Sequence, residues 1–420
     1  MGLLADLVDM CGPAHVRAAL PADAPGLTAA AAHVAPADPG QLAAVLRLAY
    51  RDGWTVLPRG AGTTLDWGPP PSDVDIVVDL RRLAGVRAHD PGGLEVTVGA
   101  GTPLRDLTAR LAATGQRLTL DPPYLADGAT AGGVLATGAT GPLRLRGGPL
   151  PALVRGVEYL TVDGSPQRLV GDDAADLCGS LGALGVLTAV TFALAPRPPE
   201  ARYVLRSVRS PAELIELMAL LDTIPLGIAA IEADWPPLDP VSARVPRQRT
   251  TEPGRAATVA VRIEGTARAA LQLSRTAVTL IGGDAEARAE PPGWWGRVPA
   301  GHTLLRLDVP VSALGAVNLV LRDVTGGVAA VRGSAATGVV LVALPEGFAD
   351  ERVVGVVETV RHTLLARGGL CTVLRASPLV HAAARATDRG IADAARLKER
   401  YDPSGRLAPG RLPLSDAESS

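Results

Sequence analysis

The sequence predicts an α+β protein with two domains. Residues 31–196 alternate short apolar strands with amphipathic helices, and glycine-rich turns separate them, which indicates a first domain built of two lobes. We expect residues 197–360 to form an α/β domain that caps the first one, and residues 361–420 to complete the cap and return to the first domain. Residues 1–30 are assigned to an N-terminal extension. With 420 residues, 47% of them hydrophobic, the chain can bury a large core.

The charge and hydropathy of the chain exclude several classes of protein. A formal net charge of −2 argues against a protein that binds nucleic acid or an anionic membrane. No apolar run is long enough to cross a bilayer, and Asp6 and Asp9 interrupt the apolar N-terminal stretch, which argues against a secretory signal. We therefore expect a cytoplasmic protein that reaches a membrane only through partners. Lys398 is the only lysine among 41 cationic residues, so a surplus arginine is weak evidence for a site.

The cysteines and histidines predict no metal site. Cys11, Cys178 and Cys371 are far apart, so they form neither a four-cysteine cluster nor a disulfide framework. The six histidines are scattered without a metal-binding pattern.

The first element of the first domain is a capped helix. Asp38 predicts the N-cap, Pro39 stands at the first helical position, Gln41 completes a capping box, and Gly53 ends the apolar periodicity. A strand at 54–58 and a glycine-rich turn follow.

This turn, residues 59–63, raises the possibility of a dinucleotide-binding fold, because Asp79 lies about twenty residues further on, where a ribose-binding acid would stand. Leu65, however, occupies the third glycine position, and the prolines at 69–71 prevent a helix there. A Rossmann domain is therefore disfavoured.

The remaining elements of the first domain follow the same alternation. Strands are predicted at 75–80 and 94–99, an amphipathic helix at 102–115, a strand at 154–164, and a glycine turn with a long strand at 181–196. Between them, residues 129–142 consist of small, uncharged residues without an aromatic ring.

Three glycine-rich patterns in this order carry a family resemblance. Pro58 to Thr63 match P-R-G-x-G-T/S, Thr130 to Pro142 match T-x-G-G-x-x-A-T-x-x-x-G-P, and Gly182 to Thr188 match G-x-L-G-V/I-I/L-T. Together they resemble the FAD-binding domain of the vanillyl-alcohol oxidase / p-cresol methylhydroxylase (PCMH-type) family. The resemblance covers residues 31–196 and implies a two-lobed FAD-binding domain with an α/β cap.

The resemblance also implies which residues contact FAD. Glycines there would let the backbone approach a pyrophosphate, and the hydroxyl of Thr130 or Thr137 would offer hydrogen bonds; the alternative is that these glycines serve only tight turns and close packing. Residues 59–63 contain no His or Cys for a covalent flavin link, so FAD is expected to bind non-covalently. The expected cofactor-binding residues are Pro58, Arg59, Gly60, Ala61, Gly62, Thr63, Pro122, Thr130, Ala131, Gly132, Gly133, Ala136, Thr137, Gly138, Gly141, Gly185, Val186 and Leu187.

Within that family, the chain resembles the FAD-binding subunit of bacterial glycolate oxidase through residues 141–164 and the tail at 402–411. This resemblance implies oxidation of a small 2-hydroxy acid such as glycolate or D-lactate, with a second FAD-containing subunit and an iron–sulfur subunit as partners. The alternative is a flavin-binding or flavin-less structural subunit without turnover of its own. The sequence departs from the family at 171–181, which is shortened and keeps only the Asp176–Leu177 pair.

The catalytic residues are not identified by the sequence. Oxidising a hydroxy acid requires a cation that holds the carboxylate and a base that takes the hydroxyl proton. The family motifs H-x-G-D and G-E-H-G are absent, and His302, His362 and His381 each stand alone. The candidates are the cations Arg144, Arg146, Arg297 and Arg375, together with His381.

Two segments are predicted to lack a fixed structure. Residues 237–256 are rich in Pro and Arg, which indicates a mobile loop, and the last six residues are expected to be disordered.

Overall fold

The fold is described from a computed structural model, which covers residues 2–24, 32–222, 227–238, 257–388 and 390–414. Most of the loop predicted at 237–256 and the last six residues lie outside these ranges.

The described residues form both α-helices and β-strands, as an α+β protein requires. The helices are α1 Leu3–Cys11, α2 Pro39–Asp52, α3 Leu104–Ala113, α4 Ala131–Thr137, α5 Arg144–Gly147, α6 Leu150–Leu153, α7 Pro211–Asp222, α8 Ala267–Ile281, α9 Leu314–Thr325, α10 Asp350–Leu365, α11 Pro378–Ala386 and α12 Ile391–Tyr401. The strands are β1 Val16–Arg17, β2 Ala32–Val34, β3 Val56–Arg59, β4 Ile76–Asp79, β5 Val86–Asp90, β6 Glu95–Gly99, β7 Gln116–Arg117, β8 Val154–Leu160, β9 Pro166–Val170, β10 Val186–Ala193, β11 Ala195–Pro196, β12 Glu200–Val208, β13 Ile228–Trp235, β14 Ala257–Gly265, β15 Glu286–Arg288, β16 Thr303–Asp308, β17 Ala330–Ser334, β18 Val339–Leu344 and β19 Leu370–Arg375.

The chain divides into two compact units. The first contains Met1–Thr140, Pro149–Arg197 and Asp388–Ser420; the second contains Gly141–Gly148 and Pro198–Thr387. Residues 141–148 join the second unit because α5 packs on β13 and Leu145 contacts the core of that unit.

The first unit has two principal sheets, one in each lobe. The smaller has the order β1-β2-β4-β3, in which β2 and β3 run parallel to β4. The larger is antiparallel with the order β5-β6-β10-β8-β9. A core formed by α1, α2 and the smaller sheet buries Leu7, Leu42 and Ile76 completely. The two lobes and the α+β class agree with the sequence prediction.

Helix α2 confirms the predicted N-cap, whereas the predicted capping box is shifted by one residue, because Gln41 bonds Ala37 and not Asp38. The Asp38 carboxylate accepts a hydrogen bond from the Gln41 backbone N–H (2.9 Å), and the Gln41 side chain accepts one from the Ala37 N–H (2.8 Å). Gly53 ends the helix with φ +86°, a left-handed conformation that glycine adopts without strain.

The small-residue stretch at 129–142 contains a short helix that the sequence did not predict. Thr130 caps α4 by accepting a hydrogen bond from Gly133 N–H, and Gly138 ends it with φ +64°. Two glycines lower the helix propensity of this segment, so the local pattern did not indicate a helix. Tertiary packing stabilises it, because Val134 and Leu135 are buried and α4 packs against β6 and β10.

The second unit is an eight-stranded antiparallel sheet with the order β15-β12-β14-β13-β17-β18-β16-β19. Strand residues such as Val259 and Leu305 have polar neighbours along their strands, and together with Val342 they pack against α7–α11 in one core. The second unit is therefore a single sheet covered by helices.

The only lysine of the chain attaches the C-terminal segment to the first unit. The Lys398 ammonium group is buried and donates hydrogen bonds to the Asp402 carboxylate (2.7 Å) and to the carbonyl oxygens of Ala183 (2.9 Å) and Leu407 (2.7 Å). Beyond it, Leu407 pairs with Val56 in a parallel bridge beside β3. The tail therefore lies next to the start of the glycine-rich turn.

Candidate cofactor-binding site

The glycine-rich turn at the carboxyl end of β3 presents a row of backbone donors. Gly62 adopts φ +79°, which a residue with a Cβ rarely adopts. Within the part of the chain that the structure describes, the backbone N–H groups of residues 60–63 donate to no acceptor. Consecutive N–H groups in such a turn form a concave site for an anion.

The turn lines a pocket whose space, including its open mouth, is about 660 Å³. Three segments that lie far apart in the sequence meet there: 58–65, 130–137 and 181–187. Leu80, Ala100 and Arg411 complete the lining.

Most of the residues that the sequence predicts for the cofactor site line this pocket. They are Pro58, Arg59, Gly60, Ala61, Gly62, Thr63, Thr130, Gly132, Gly133, Ala136, Thr137, Gly185 and Leu187.

Five further predicted residues lie elsewhere. Pro122, Ala131 and Val186 are buried, and Val186 belongs to the core of the smaller lobe. Gly138 ends α4 beside Gly179, and Gly141 belongs to the second unit.

The glycines that line the pocket lack a side chain for two different structural reasons. A Cβ on Gly132 would lie 2.9 Å from the Ala100 Cβ and 3.0 Å from its carbonyl oxygen, and a Cβ on Gly60 would collide with the Thr130 side chain. These two glycines permit close packing. A Cβ on Gly133 would meet only the Thr130 hydroxyl, at 3.1 Å. Gly133 therefore leaves room on the pocket side.

The two candidate threonines already have partners within α4. The Thr130 hydroxyl accepts from Gly133 N–H (3.3 Å), and the Thr137 hydroxyl donates to the Gly133 carbonyl (2.9 Å). Thr130 keeps its hydroxyl hydrogen for a ligand acceptor, whereas Thr137 keeps lone pairs for a ligand donor.

Arg59 is held at the entrance of the turn by Asp23. Its guanidinium lies 3.2 Å from the Asp23 carboxylate and donates to the Asp23 carbonyl (2.9 Å), while its Nε is buried without a partner. Hydrogen bonding to Arg17, with further help from the Leu20 N–H and His33, lowers the pKa of Asp23 to about 2 against the opposing effect of burial. Asp23 is therefore ionised at neutral pH and orients Arg59.

Asp79 does not line the pocket. Its carboxylate is buried and pairs with Arg81 (2.6 Å) and His33 (3.5 Å). The position that a ribose-binding acid would occupy thus holds a structural ion pair, in agreement with the rejection of a Rossmann domain.

Arg411 is a pocket residue that the sequence did not identify as one. The residue is 4% exposed, and its guanidinium donates to the carbonyl oxygens of Trp67 (3.0 Å) and Leu65, while Nε has no partner. Burial lowers its pKa to about 10, against an opposing influence of Asp66. The available signal was the tail pattern at 402–411, which did not indicate where the arginine points.

The pocket is electropositive. Its described lining includes two arginines and no aspartate or glutamate. Together with the N–H groups of the turn, these residues can hold a polyvalent anion.

The predicted catalytic candidates lie in the second unit. The Arg375 guanidinium donates to the carbonyl oxygens of Gly301 (2.9 Å) and His302 (3.1 Å), and His381 is buried on α11. Arg144 is half-buried, and its pKa is lowered by burial and by the neighbouring Arg306. Arg146 is exposed on α5. The fifth candidate, Arg297, accepts a hydrogen bond at its backbone carbonyl from Arg332 (3.3 Å).

The three cysteines form no disulfide within the described residues. Burial raises the pKa of Cys178 to about 11 and that of Cys11 above its usual value, so neither thiolate forms readily at neutral pH. No group of three His, Cys, Asp or Glu residues suited to a metal occurs in the described ranges.

None of the described helices is both long enough and apolar enough to traverse a bilayer.

The first part of the chain is similar to known FAD-binding proteins. Residues 30–169 match the FAD binding domain family. The glycolate oxidase subunit GlcE of Escherichia coli K12 is 33% identical over 163 residues, which are 37% of this chain and 46% of the relative. The glycolate oxidase subunit GlcD of the same organism is 32% identical over 187 residues, 42% of this chain and 37% of the relative. The matched regions thus span less than half the length of these curated relatives.

A solved alkyldihydroxyacetonephosphate synthase shares the fold. The two superpose with a TM-score of 0.64 at 14% identity, over 91% of this chain and 76% of that protein. Since residues 30–169 match the FAD binding domain family, the first unit contains an FAD-binding domain of the PCMH type, and its cofactor is FAD.

Proposed function

We propose that this chain, which carries a PCMH-type FAD-binding domain, is the FAD-binding subunit of an oxidoreductase that acts on a small 2-hydroxy acid such as glycolate or D-lactate. The observation that carries the proposal is the convergence of the three glycine-rich segments on one electropositive pocket. The relatives named glycolate oxidase subunits support the choice of substrate class.

The pocket residues fit FAD by chemistry. The N–H groups of residues 60–63 and the guanidinium of Arg59 would face the two negative charges of the pyrophosphate. Gly133 and Ala136 have small side chains or none, so a flat ring can lie against them. Since residues 59–63 contain no His or Cys, we infer that FAD is bound non-covalently.

FAD supplies a hydride acceptor when it is bound. The chain would hold and orient this group, and the closely packed walls of the pocket would exclude water from it. Arg144, which is half-buried in the second unit beside Arg306, is the candidate for the substrate carboxylate. No residue of the described chain is assigned as the base that takes the hydroxyl proton.

We infer that partner subunits supply the missing functions. A positioned base is worth about 10²- to 10⁴-fold in rate, so its absence would leave the isolated chain nearly inactive. Three dispersed cysteines provide no ligands for an iron–sulfur cluster, so electrons would leave through other polypeptides. We propose a second FAD-containing subunit and an iron–sulfur subunit.

The second candidate function is a structural subunit that binds flavin without turnover. It is favoured by Arg375, whose guanidinium donates hydrogen bonds to two backbone carbonyl oxygens.

Two measurements test these proposals. The purified chain should show the visible absorbance of bound flavin, and acid precipitation should release all of it into the supernatant. Glycolate and D-lactate oxidation with a dye acceptor should be negligible for the chain alone and should appear with its natural partners. A chain that binds no flavin would refute the proposed function, and flavin in the acid pellet would refute non-covalent binding. Inactivity of the assembled complex would favour the structural alternative.

A further inference from the structure

Arg411 is a buried cation without a carboxylate partner in the cofactor pocket. Two of its nitrogens donate to the carbonyl oxygens of Leu65 and Trp67, and the third, Nε, has no acceptor. No described aspartate or glutamate forms an ion pair with it, and Asp66 acts on it only at longer range. Burying an unpaired charge is unfavourable, so a native structure that does so commonly provides a compensating ligand.

The backbone around Arg411 is positioned firmly. Asp402, which is fully buried, accepts hydrogen bonds from Lys398 and from the Leu407 N–H (2.7 Å each). The Ala408 N–H then donates to the Val56 carbonyl on β3 (2.8 Å). These contacts direct the tail from the end of α12 along β3 and bring Arg411 to the pocket.

We propose that Arg411 holds a negatively charged group of bound FAD, which makes the tail at 402–411 part of the cofactor site. This inference rests on the proposed binding of FAD in this pocket. The missing carboxylate partner of this buried, pocket-lining cation points to an anionic ligand, and the FAD-binding motifs on the other walls of the pocket identify the source of that anion.

Arg406 provides a matched control. It lies in the same tail, and its guanidinium also donates to two backbone carbonyls, those of Tyr50 (2.8 Å) and Ala49 (3.5 Å). It does not line the pocket. Arg411→Gln and Arg406→Gln therefore remove the same kind of structural contact, and only the first removes a charge from the pocket.

The experiment measures the dissociation constant of FAD for the flavin-stripped full chain by fluorescence titration, with thermal unfolding of each unloaded variant as a check of folding. We expect Arg411→Gln to weaken FAD binding about 10- to 100-fold, as for the loss of a hydrogen bond to a charged group. Arg406→Gln should bind within about twofold of the parent chain, since its partners lie outside the pocket. Arg411→Lys keeps the charge and should recover part of the affinity.

Two further readouts identify the anionic group. If Arg411 faces the pyrophosphate, Arg411→Gln should weaken binding of ADP about as much as binding of FAD. If it faces the flavin ring, ADP affinity should be unchanged and the midpoint potential of the bound flavin should fall, because a cation stabilises the charge that the ring gains on reduction.

Equal FAD affinity of Arg411→Gln and the parent chain would overturn the inference while leaving the proposed function intact. Equal losses in Arg411→Gln and Arg406→Gln would also overturn it, since tail docking alone would then explain them. A parent chain that binds no FAD would refute the proposed function and this inference together.

Discussion

Replacement of Gly133 by valine should separate flavin binding from folding. The new Cβ would meet only the Thr130 hydroxyl, 3.1 Å away, which must shift by a few tenths of an ångström. Valine also has a higher helix propensity than glycine within α4, by roughly 0.5 kcal/mol, which offsets part of this strain. We therefore expect the free energy of unfolding of the unloaded chain to change by no more than about 1 kcal/mol.

The same valine should strongly reduce FAD affinity. Its three carbons would occupy the side of the pocket where the backbone is otherwise bare. Displacing the cofactor from even one or two charge-assisted contacts, each worth about 1.5–3 kcal/mol, corresponds to a loss of at least about tenfold.

Gly132→Val is the matched control for this experiment. Its Cβ would lie 2.9–3.0 Å from the Ala100 Cβ and carbonyl oxygen, so overpacking should destabilise the fold by about 1–3 kcal/mol. Flavin content and urea unfolding are measured for both variants. Retention of flavin by Gly133→Val, or equal loss of stability in the two variants, would refute the assignment of Gly133 to the cofactor side.

Three further predictions concern stability and activity. Lys398→Met leaves the Asp402 carboxylate buried without its cation, so we expect urea unfolding to show a loss of about 3–5 kcal/mol; a loss below 1 kcal/mol would contradict the role of this pair. The pKa of Asp23 is lowered from 3.8 to about 2 in the folded chain. The ionised carboxylate therefore adds at most about 2 kcal/mol to the free energy of unfolding, and this contribution is complete above about pH 4. It is lost as the pH falls through 2 and the carboxylate becomes protonated. Unfolding of Asp23→Asn should therefore depend less on pH between 4 and 2 than that of the parent chain. Steady oxidation of glycolate or D-lactate by the purified single chain would contradict the proposed need for partners and would make Arg375 and His381 the first residues to mutate.

The sequence by itself determined the elements that depend on local interactions. The capping box and periodicity of α2 predicted its start and end, because these contacts lie within a few residues of each other. The order of the three glycine-rich patterns predicted the FAD-binding domain, since backbone approach to a ligand requires glycine in specific positions. The domain class and the identity of the cofactor were therefore available without coordinates.

The tertiary structure decided what each of these residues contacts. Whether a glycine serves packing or a ligand depends on its neighbour in space, which is Ala100 for Gly132 and the pocket for Gly133. Helix α4 forms against its local propensity because buried packing outweighs the low helix propensity of glycine. Arg411 meets the Trp67 carbonyl across 344 residues of sequence, and no local pattern encodes such a contact. Its place in the pocket follows from the buried Lys398–Asp402 pair, which only the folded chain brings together with the glycine-rich segment at 182–185.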